Sequence, residues 1–198
     1  MTVLLTLTVI CVPAHSEILV YNKMIKCWEA VEGADWNVTN ETIRGFLVLD
    51  VLYNEDGTIN DITEAVQVEY GRNDARNRVY TETSHDFGIV RVVYRNRVEW
   101  VLVESDSNEN GDELTLLRGR AIDSRIGNVD PNEIAKNLSG SRLGYWNDGG
   151  DEDIVMCEWT LRLQENWTRW INEDEKTLSE ALDDIELWLE AKGYDPEV

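Results

Sequence analysis

The chain has 198 residues, of which 42% are hydrophobic and 29% charged, and its formal net charge is −21. These values describe a globular chain with one sizeable core and exclude a disordered one. Such a negative surface repels phosphate backbones and anionic lipids, so we expect no nucleic-acid partner. Cations, basic partners and a salty medium stay compatible with it.

Residues 1–16 contain no Lys or Arg and include an apolar run from Val3 to Val12. The run is too short to cross a membrane, and Ala14 and Ser16 after it form a small-x-small pattern. This arrangement predicts a signal peptide at 1–16 that is cut after Ser16; a buried first strand is the alternative. We therefore expect an exported protein, periplasmic or extracellular, with no membrane span and a single β-rich domain at 17–198.

Gly45 to Tyr53 is the most apolar run of the mature chain and has β-branched residues on both of its faces. Such a run predicts a central strand that is covered on both sides. Asp50 shares its parity with Phe46 and Val48. If that face is buried, the Asp50 carboxylate needs a partner.

Alternating apolar residues predict further strands on either side of this run. Short polar turns, such as residues 95–97 and 106–112, join several of them and favour hairpins. The sequence therefore predicts a mainly β fold, an antiparallel meander of about eight strands, and leaves a barrel and a sandwich both open. The further strands are expected at residues 18–31, 65–70, 98–104, 114–122, 142–146 and 154–163, with 79–82 and 87–94 forming one long or broken strand.

Helix signals occur in the last third of the chain. Asp130-Pro131-Asn132-Glu133 combines a capping box with proline at the first helical position, and it predicts a short helix near 131–138. A turn or two of helix is expected over 166–172. Thr177 and Glu180 form another capping box before a 3.6-residue apolar period. This pattern predicts a C-terminal amphipathic helix at 178–192 that covers the mouth or the outer face of the sheet.

Two cysteines, Cys27 and Cys157, remain after removal of residues 1–16. An exported chain with one pair permits a disulfide, while two cysteines in one domain are also common as buried apolar residues. The two lie on the first and last predicted strands, which become neighbours if the meander closes. A bond between them would then join the two ends of the meander.

One acidic turn resembles the opening of a calcium-binding loop. Asp106, Asn108 and Asn110 place oxygen ligands at alternate positions, and Gly111 follows them. The twelfth position, however, is Leu117 where a bidentate Glu is needed, and strands flank the segment. An ordinary hairpin and a weak calcium site are the two interpretations, and no other cofactor is expected.

Candidate catalytic chemistry is sparse, and no catalytic residues are predicted. Glu99 and Glu158, each before a Trp on a strand, are the nominees for the carboxylate pair of a glycosidase. Eight Trp is a high number for this length. The candidate ligand-contact aromatics, for a pocket or a sugar-stacking platform, are Trp100, Tyr145, Trp146 and Trp159; core packing is the alternative.

Gly45–Asp50, Val98–Val101 and Trp188–Tyr194 resemble segments of an uncharacterised group of exported bacterial β-rich proteins. The resemblance implies a fold and carries no activity. The leading hypothesis is an exported, non-enzymatic binding or interaction domain of unknown specificity. The alternatives are a lipocalin-like barrel that carries a small apolar ligand and a glycosidase-like hydrolase. The candidate partners are a basic protein, a glycan and a small apolar ligand.

Overall fold

The computed structural model describes residues 15–31, 42–55, 59–73, 76–82, 87–94, 97–108, 111–121, 134–148 and 151–196. The long strands within these ranges are β1 (Ser16–Val31), β2 (Thr42–Tyr53), β3 (Ile59–Asn73), β4 (Arg76–Glu82), β5 (Gly88–Tyr94), β6 (Arg97–Asn108), β7 (Gly111–Ala121), β8 (Asn137–Asp148) and β9 (Asp151–Leu163). Helices α1 (Glu165–Glu173) and α2 (Leu178–Ala191) follow, and β10 (Asp195–Pro196) ends the described chain.

All ten strands belong to one sheet, in the order β10-β4-β3-β2-β1-β9-β8-β7-β6-β5. The long strands pair antiparallel with their neighbours, and β9 pairs back onto β1. In the described ranges no ladder joins β4 to β5, so the ring of strands is interrupted there. The first and last long strands of the meander, β1 and β9, are therefore neighbours. The result is a nearly closed barrel, which decides between the barrel and the sandwich.

β2 confirms the prediction of a central strand. Leu47, Val48 and Leu49 are wholly buried although their side chains alternate between two faces. Leu47 and Leu49 belong to the core inside the barrel, whereas Val48 and Phe46 belong to a second core outside it. A strand covered on both faces needs apolar residues at consecutive positions, which is why this run lacks clean alternation.

The interior core is built from the inner-facing residues of β1, β2, β3, β6, β7, β8 and β9. Its largest wholly buried side chains are Trp100, Trp159 and Tyr21. Trp100 lies opposite Gly119 across the β6–β7 ladder, and Trp159 lies opposite Gly140 across β8–β9. A Cβ at either glycine would collide with a backbone carbonyl, that of Asn137 at Gly119 and that of Leu116 at Gly140, so glycine permits this close backbone approach.

The second core covers the outer face of β1, β2 and β3. Thr177 and Glu180 form the predicted capping box, with the Thr177 N–H donating to Glu180 Oε2 at 2.8 Å. The box starts α2, which confirms the predicted amphipathic helix on the outer face of the sheet. The buried residues of this core are Ile18, Val20, Phe46, Val48, Val68, Ile171, Ala181, Ile185 and Leu189.

The short helix predicted near 131–138 does not form in the part of that segment that the structure describes. Residues 134–136 are irregular and Asn137 already begins β8, opposite Arg162. The Tyr21 hydroxyl donates to the Ala135 carbonyl at 2.9 Å. A capping signal contributes only about 1 kcal/mol, so the burial of Ala135 and Leu138 against the barrel prevails. Residues 131–133 lie outside the described ranges, and the other helix of the fold is α1.

Candidate interaction surface

Strands β7, β8 and β9 carry apolar side chains on both of their faces. The inner-facing ones belong to the barrel core. The outer-facing ones lie in solvent, and Leu114 and Leu143 are 51% and 53% exposed. We name this outer set the apolar wall; its members are Leu114, Leu116, Leu143, Tyr145, Ile154 and Met156.

Strand register places the members of the apolar wall side by side. Leu114 lies opposite Leu143, Leu143 lies opposite Met156, and Tyr145 lies opposite Ile154. Paired strands are about 4.8 Å apart, and side chains two residues apart on one strand are about 7 Å apart. The exposed side chains therefore form one contiguous surface across three strands.

The apolar surface continues beyond the wall onto β1, where the half-buried Trp28 lies opposite Met156. Monomeric soluble proteins rarely expose a contiguous apolar patch larger than a few hundred Å², and larger patches mark interaction sites. The outer face of β1, β2 and β3 is covered by α1 and α2. Among the described residues no element covers the wall in the same way.

Polar and charged side chains border the apolar wall. Ser141 on β8 lies opposite Leu116, and Glu158 on β9 lies opposite Ser141. Lys26 on β1 lies opposite Glu158. Asp112 flanks the wall opposite Tyr145. All four polar side chains are exposed. An apolar centre with a solvated polar rim is the usual anatomy of a protein–protein interface.

Two of the four candidate ligand aromatics lie inside the barrel. Trp100 and Trp159 are 0% and 1% exposed, so a ligand in solution does not reach their ring faces. Their indole Nε1 atoms have no hydrogen-bond partner in the described part of the protein. Tyr145 lies on the apolar wall, on the opposite face of the sheet. The side chain of Trp146 lies outside what the structure describes. The four aromatics therefore do not form one site.

A charged group is buried inside the barrel, at Lys23 of β1. Its Nζ lies 2.5 Å from Glu69 Oε1, donates to Gln67 Oε1 and lies 5.1 Å from the centre of the Trp159 ring. Gly45 stands between Lys23 and Glu69 in the register of β1, β2 and β3. The Lys23 and Glu69 side chains thus meet across β2 at Gly45, where no side chain intervenes. The negative charge of Glu69 compensates the buried positive charge of Lys23.

The carboxylates nominated for hydrolysis lie apart. Glu99 is buried on β6 and accepts from Arg118 Nε at 3.0 Å, whereas Glu158 is exposed on β9. β6 and β9 are separated by three interstrand spacings, which amounts to about 14 Å. A glycosidase needs its two carboxyl groups within about 10 Å. The fold therefore does not bring this pair together across a cleft.

The acidic turn nominated for calcium is the end of the β6–β7 hairpin. Asp106 and Asn108 lie opposite Glu113 and Gly111, and Asn110 lies outside the described ranges. Leu117, the twelfth position of the loop pattern, is wholly buried in the barrel core. The residues that the structure describes contain no group of three His, Cys, Asp or Glu placed to hold a metal. The calcium site stays a prediction.

Cys27 and Cys157 form a disulfide, with Cα atoms 4.1 Å apart. The two residues are directly opposite in the β1–β9 ladder. The bond therefore joins the two strands at which the meander closes. Stable disulfides are typical of oxidising compartments. In the described ranges no helix is long and apolar enough to span a bilayer.

The apolar wall is the feature that sequence interpretation missed. Leu114-Thr115-Leu116-Leu117 and Ile154-Val155-Met156-Cys157 place apolar residues at both parities, as the central strand does. That pattern indicates two apolar faces. It does not distinguish a second face that the chain covers itself from one that it leaves exposed.

Comparison with known proteins gives no match to any family model, curated protein or solved structure. The fold class therefore follows from the chain's own geometry, as a mainly β, nearly closed barrel-like sheet with two helices packed outside it. The apolar wall is the basis for a functional proposal.

Proposed function

We propose that the protein is an exported, non-enzymatic interaction domain that binds a protein partner through the apolar wall. The observation that carries the proposal is the contiguity of six exposed apolar side chains on three paired strands. Exposing such a surface to water is unfavourable by about 25 cal/mol per Å² of apolar area, and a partner that covers it recovers that free energy.

The proposed partner has an apolar centre and a positively charged surround. The chain carries 39 acidic against 18 basic side chains, a formal net charge of −21. Long-range attraction accelerates association with a basic protein and opposes association of two equally acidic copies. The mixed rim of Asp112, Glu158 and Lys26 is exposed and supplies hydrogen-bonding groups but little net affinity.

Export is part of the proposal because the predicted signal peptide and the disulfide both favour a location outside the cytosol. The disulfide between Cys27 and Cys157 suits an oxidising compartment, and cytosolic thiols are normally kept reduced. The periplasm and the extracellular medium both meet this condition.

The lipocalin-like alternative has less support. A carrier needs an unfilled interior, but the described interior contains Trp100, Leu102, Leu117 and Leu161 at 0% exposure. A side chain at this exposure touches no space as large as a water molecule, so the core is packed around these residues. The hydrolase alternative lacks the carboxylate pair that it needs, because Glu99 and Glu158 lie on strands that are three interstrand spacings apart.

Site-specific photo-crosslinking in the producing cell tests the proposal. A photoreactive phenylalanine derivative replaces Leu143 at the centre of the wall, and in a matched control it replaces the exposed Glu64 on β3. We expect a discrete adduct with another protein from position 143 and none from position 64. Adding Leu114→Ser and Met156→Ser beside the crosslinker removes the apolar neighbours, and we expect the adduct to fall at least tenfold.

Three outcomes contradict the proposal. Equal adducts from positions 143 and 64, or no adduct from either, remove the wall as a docking surface. An adduct with twice the mass of the exported chain shows that the wall binds a second copy instead of a basic protein. The melting temperature of each variant serves as the folding control, since substitutions of exposed side chains usually change stability by less than about 0.5 kcal/mol.

A further inference from the structure

We infer that the exported protein begins at His15, because a signal peptidase cuts the Ala14–His15 bond instead of the Ser16–Glu17 bond. This inference rests on the proposed export. It starts from the contacts of His15 and Ser16, which the structure places in the folded domain although the sequence pattern assigned both to the signal peptide.

His15 is fixed to the end of β2 by two contacts. Its carbonyl accepts a hydrogen bond from the Tyr53 N–H at 2.9 Å. Its imidazole stacks on the Tyr53 ring, with centroids 4.8 Å apart and an angle of 6° between the planes. Removing His15 therefore takes the acceptor from a backbone N–H of a buried residue and uncovers one face of its ring.

Ser16 is the first residue of β1 and pairs with Leu52. Glu17 follows it, pairs with Val51 and accepts a hydrogen bond from the Tyr53 hydroxyl at 2.7 Å. A chain that begins at Glu17 places a charged α-ammonium inside this ladder and loses the preceding pair. A chain that begins at His15 keeps every one of these contacts and places its ammonium on an exposed residue.

The sequence around Ala14 also satisfies the peptidase. A signal-peptide cleavage site follows the apolar run and is marked by small residues. Ala14 is the small residue directly before the proposed bond, and the uncharged Val12 ends the apolar run two positions earlier. In the reaction a water molecule attacks the Ala14 carbonyl carbon and the Ala14–His15 C–N bond breaks. The products are the Ala14 carboxylate and the His15 α-ammonium.

The test expresses the full chain in a secreting bacterial host and determines the exported product by intact mass and N-terminal sequencing. We expect the sequence His15-Ser16-Glu17. Two variants separate the candidate bonds. Ala14→Leu places a large residue before the proposed bond, and we expect it to retain the leader. Ser16→Leu does the same for the other bond, and we expect normal processing because Ser16 lies beyond the proposed bond. Ser16 is exposed, so the folded domain tolerates the change.

Each alternative result overturns the inference. An exported product that begins at Glu17, or a block by Ser16→Leu with normal processing of Ala14→Leu, refutes the cut after Ala14 and leaves export intact. A product that keeps Met1 inside the cell refutes export as well. The crosslinking experiment on the apolar wall does not depend on where the leader is cut. Failure of the proposed cleavage site is therefore distinguishable from failure of the proposed interaction surface.

Discussion

The side-chain amide of Asn172 completes the hydrogen bonding of Ile18 on the side of β1 that β9 does not reach. Asn172 Oδ1 accepts from the Ile18 N–H at 2.9 Å, and Asn172 Nδ2 donates to the Ile18 carbonyl at 2.8 Å. β9 ends at Leu163, opposite Tyr21, so residues 16–20 have no strand on that side. The amide from α1 therefore acts as a short substitute for the missing strand.

Thr168 makes the equivalent contact one helical turn earlier, since its Oγ1 accepts from the Val20 N–H at 3.1 Å. A helical turn rises 5.4 Å and two residues of a strand span about 6.7 Å, so residues four apart on α1 match residues two apart on β1. The two side chains fix α1 along the edge of β1.

Asn172→Ala should lower the free energy of unfolding by about 2 kcal/mol, because it leaves both the N–H and the carbonyl of Ile18 without a protein partner. Denaturant unfolding followed by Trp fluorescence measures the change. Asn166→Ala on the same helix is the control; its side chain is exposed, and we expect a change below about 0.5 kcal/mol. Equal effects of the two substitutions would contradict the edge-completing role of Asn172.

Gly45→Ala should destabilise the barrel by about 3 kcal/mol, because a Cβ at this position collides with the Val68 carbonyl of β3 and overpacking a closed ladder is costly. The added methyl group also lies between Lys23 and Glu69, which bond across β2. Gly88→Ala is the matched control, since its Cβ would lie 3.6 Å from the Val103 carbonyl in ordinary contact. We expect a change within about 1 kcal/mol for Gly88→Ala. Similar losses would refute the steric account.

Local patterns in the sequence predicted the parts of the fold that depend on them. The run at Gly45–Tyr53 predicted a strand covered on both faces, and Thr177 with Glu180 predicted the start of α2; both are confirmed. The signal at Asp130–Glu133 failed to produce a helix at 134–138 because tertiary pairing of Asn137 with Arg162 outweighs a cap.

Relations between distant segments were harder to predict. Apolar residues at both parities in β2 and in β9 look alike in the sequence, yet α2 covers Val48 and leaves Met156 exposed. Which outer face receives the tail helix depends on where the meander closes and where β9 ends. A two-residue apolar period shows which residues share a face of a strand, but it does not show how the strands are arranged in the fold. The apolar wall was missed for this reason.

Loss of the Cys27–Cys157 disulfide should lower the free energy of unfolding by about 4 to 5 kcal/mol, because the bond closes a long loop in the unfolded chain. The two cysteines are 130 residues apart. The measurement compares guanidinium unfolding of the native chain and of the Cys27→Ala, Cys157→Ala double variant. Adding reductant should destabilise the native chain and leave the variant unchanged. Two free thiols per chain, titrated in the exported protein under non-reducing, denaturing conditions, would reject the bond.

Alkaline pH should destabilise the protein through Tyr21. Burial raises the pKa of Tyr21 above its ordinary value of 10.0, with Tyr53 and Glu17 adding to the shift. A raised folded-state pKa contributes stability that is fully present below the unfolded pKa. That stability is lost as the pH rises above about 10 toward the folded-state pKa.

Tyr21→Phe removes this ionisation, so its unfolding free energy should fall less steeply above pH 10 than that of the native chain. The variant is less stable at neutral pH, because the Ala135 carbonyl loses its donor. Tyr145→Phe, at an exposed position on the outer face of the sheet, is the control that removes a tyrosine hydroxyl outside the core. Unfolding by denaturant at a series of pH values from 8 to 11 (about half a unit apart) gives the slopes. Parallel slopes for the native chain and Tyr21→Phe would contradict the assignment.

Asp50→Asn should raise the free energy of unfolding by about 1 kcal/mol. Asp50 shares a face of β2 with Phe46 and Val48, and its Oδ1 is buried with no hydrogen-bond partner among the described residues. Burying a charged oxygen is more costly than burying an amide, so removing the charge should help.

Glu64→Gln is the matched control for Asp50→Asn, because Glu64 lies opposite Asp50 on β3 and is exposed. It removes the same formal charge without relieving a buried oxygen, and we expect a change below about 0.5 kcal/mol. A gain from both substitutions would assign the effect to the net charge of −21 instead of to burial. A loss from Asp50→Asn alone would contradict the burial account of the Asp50 carboxylate.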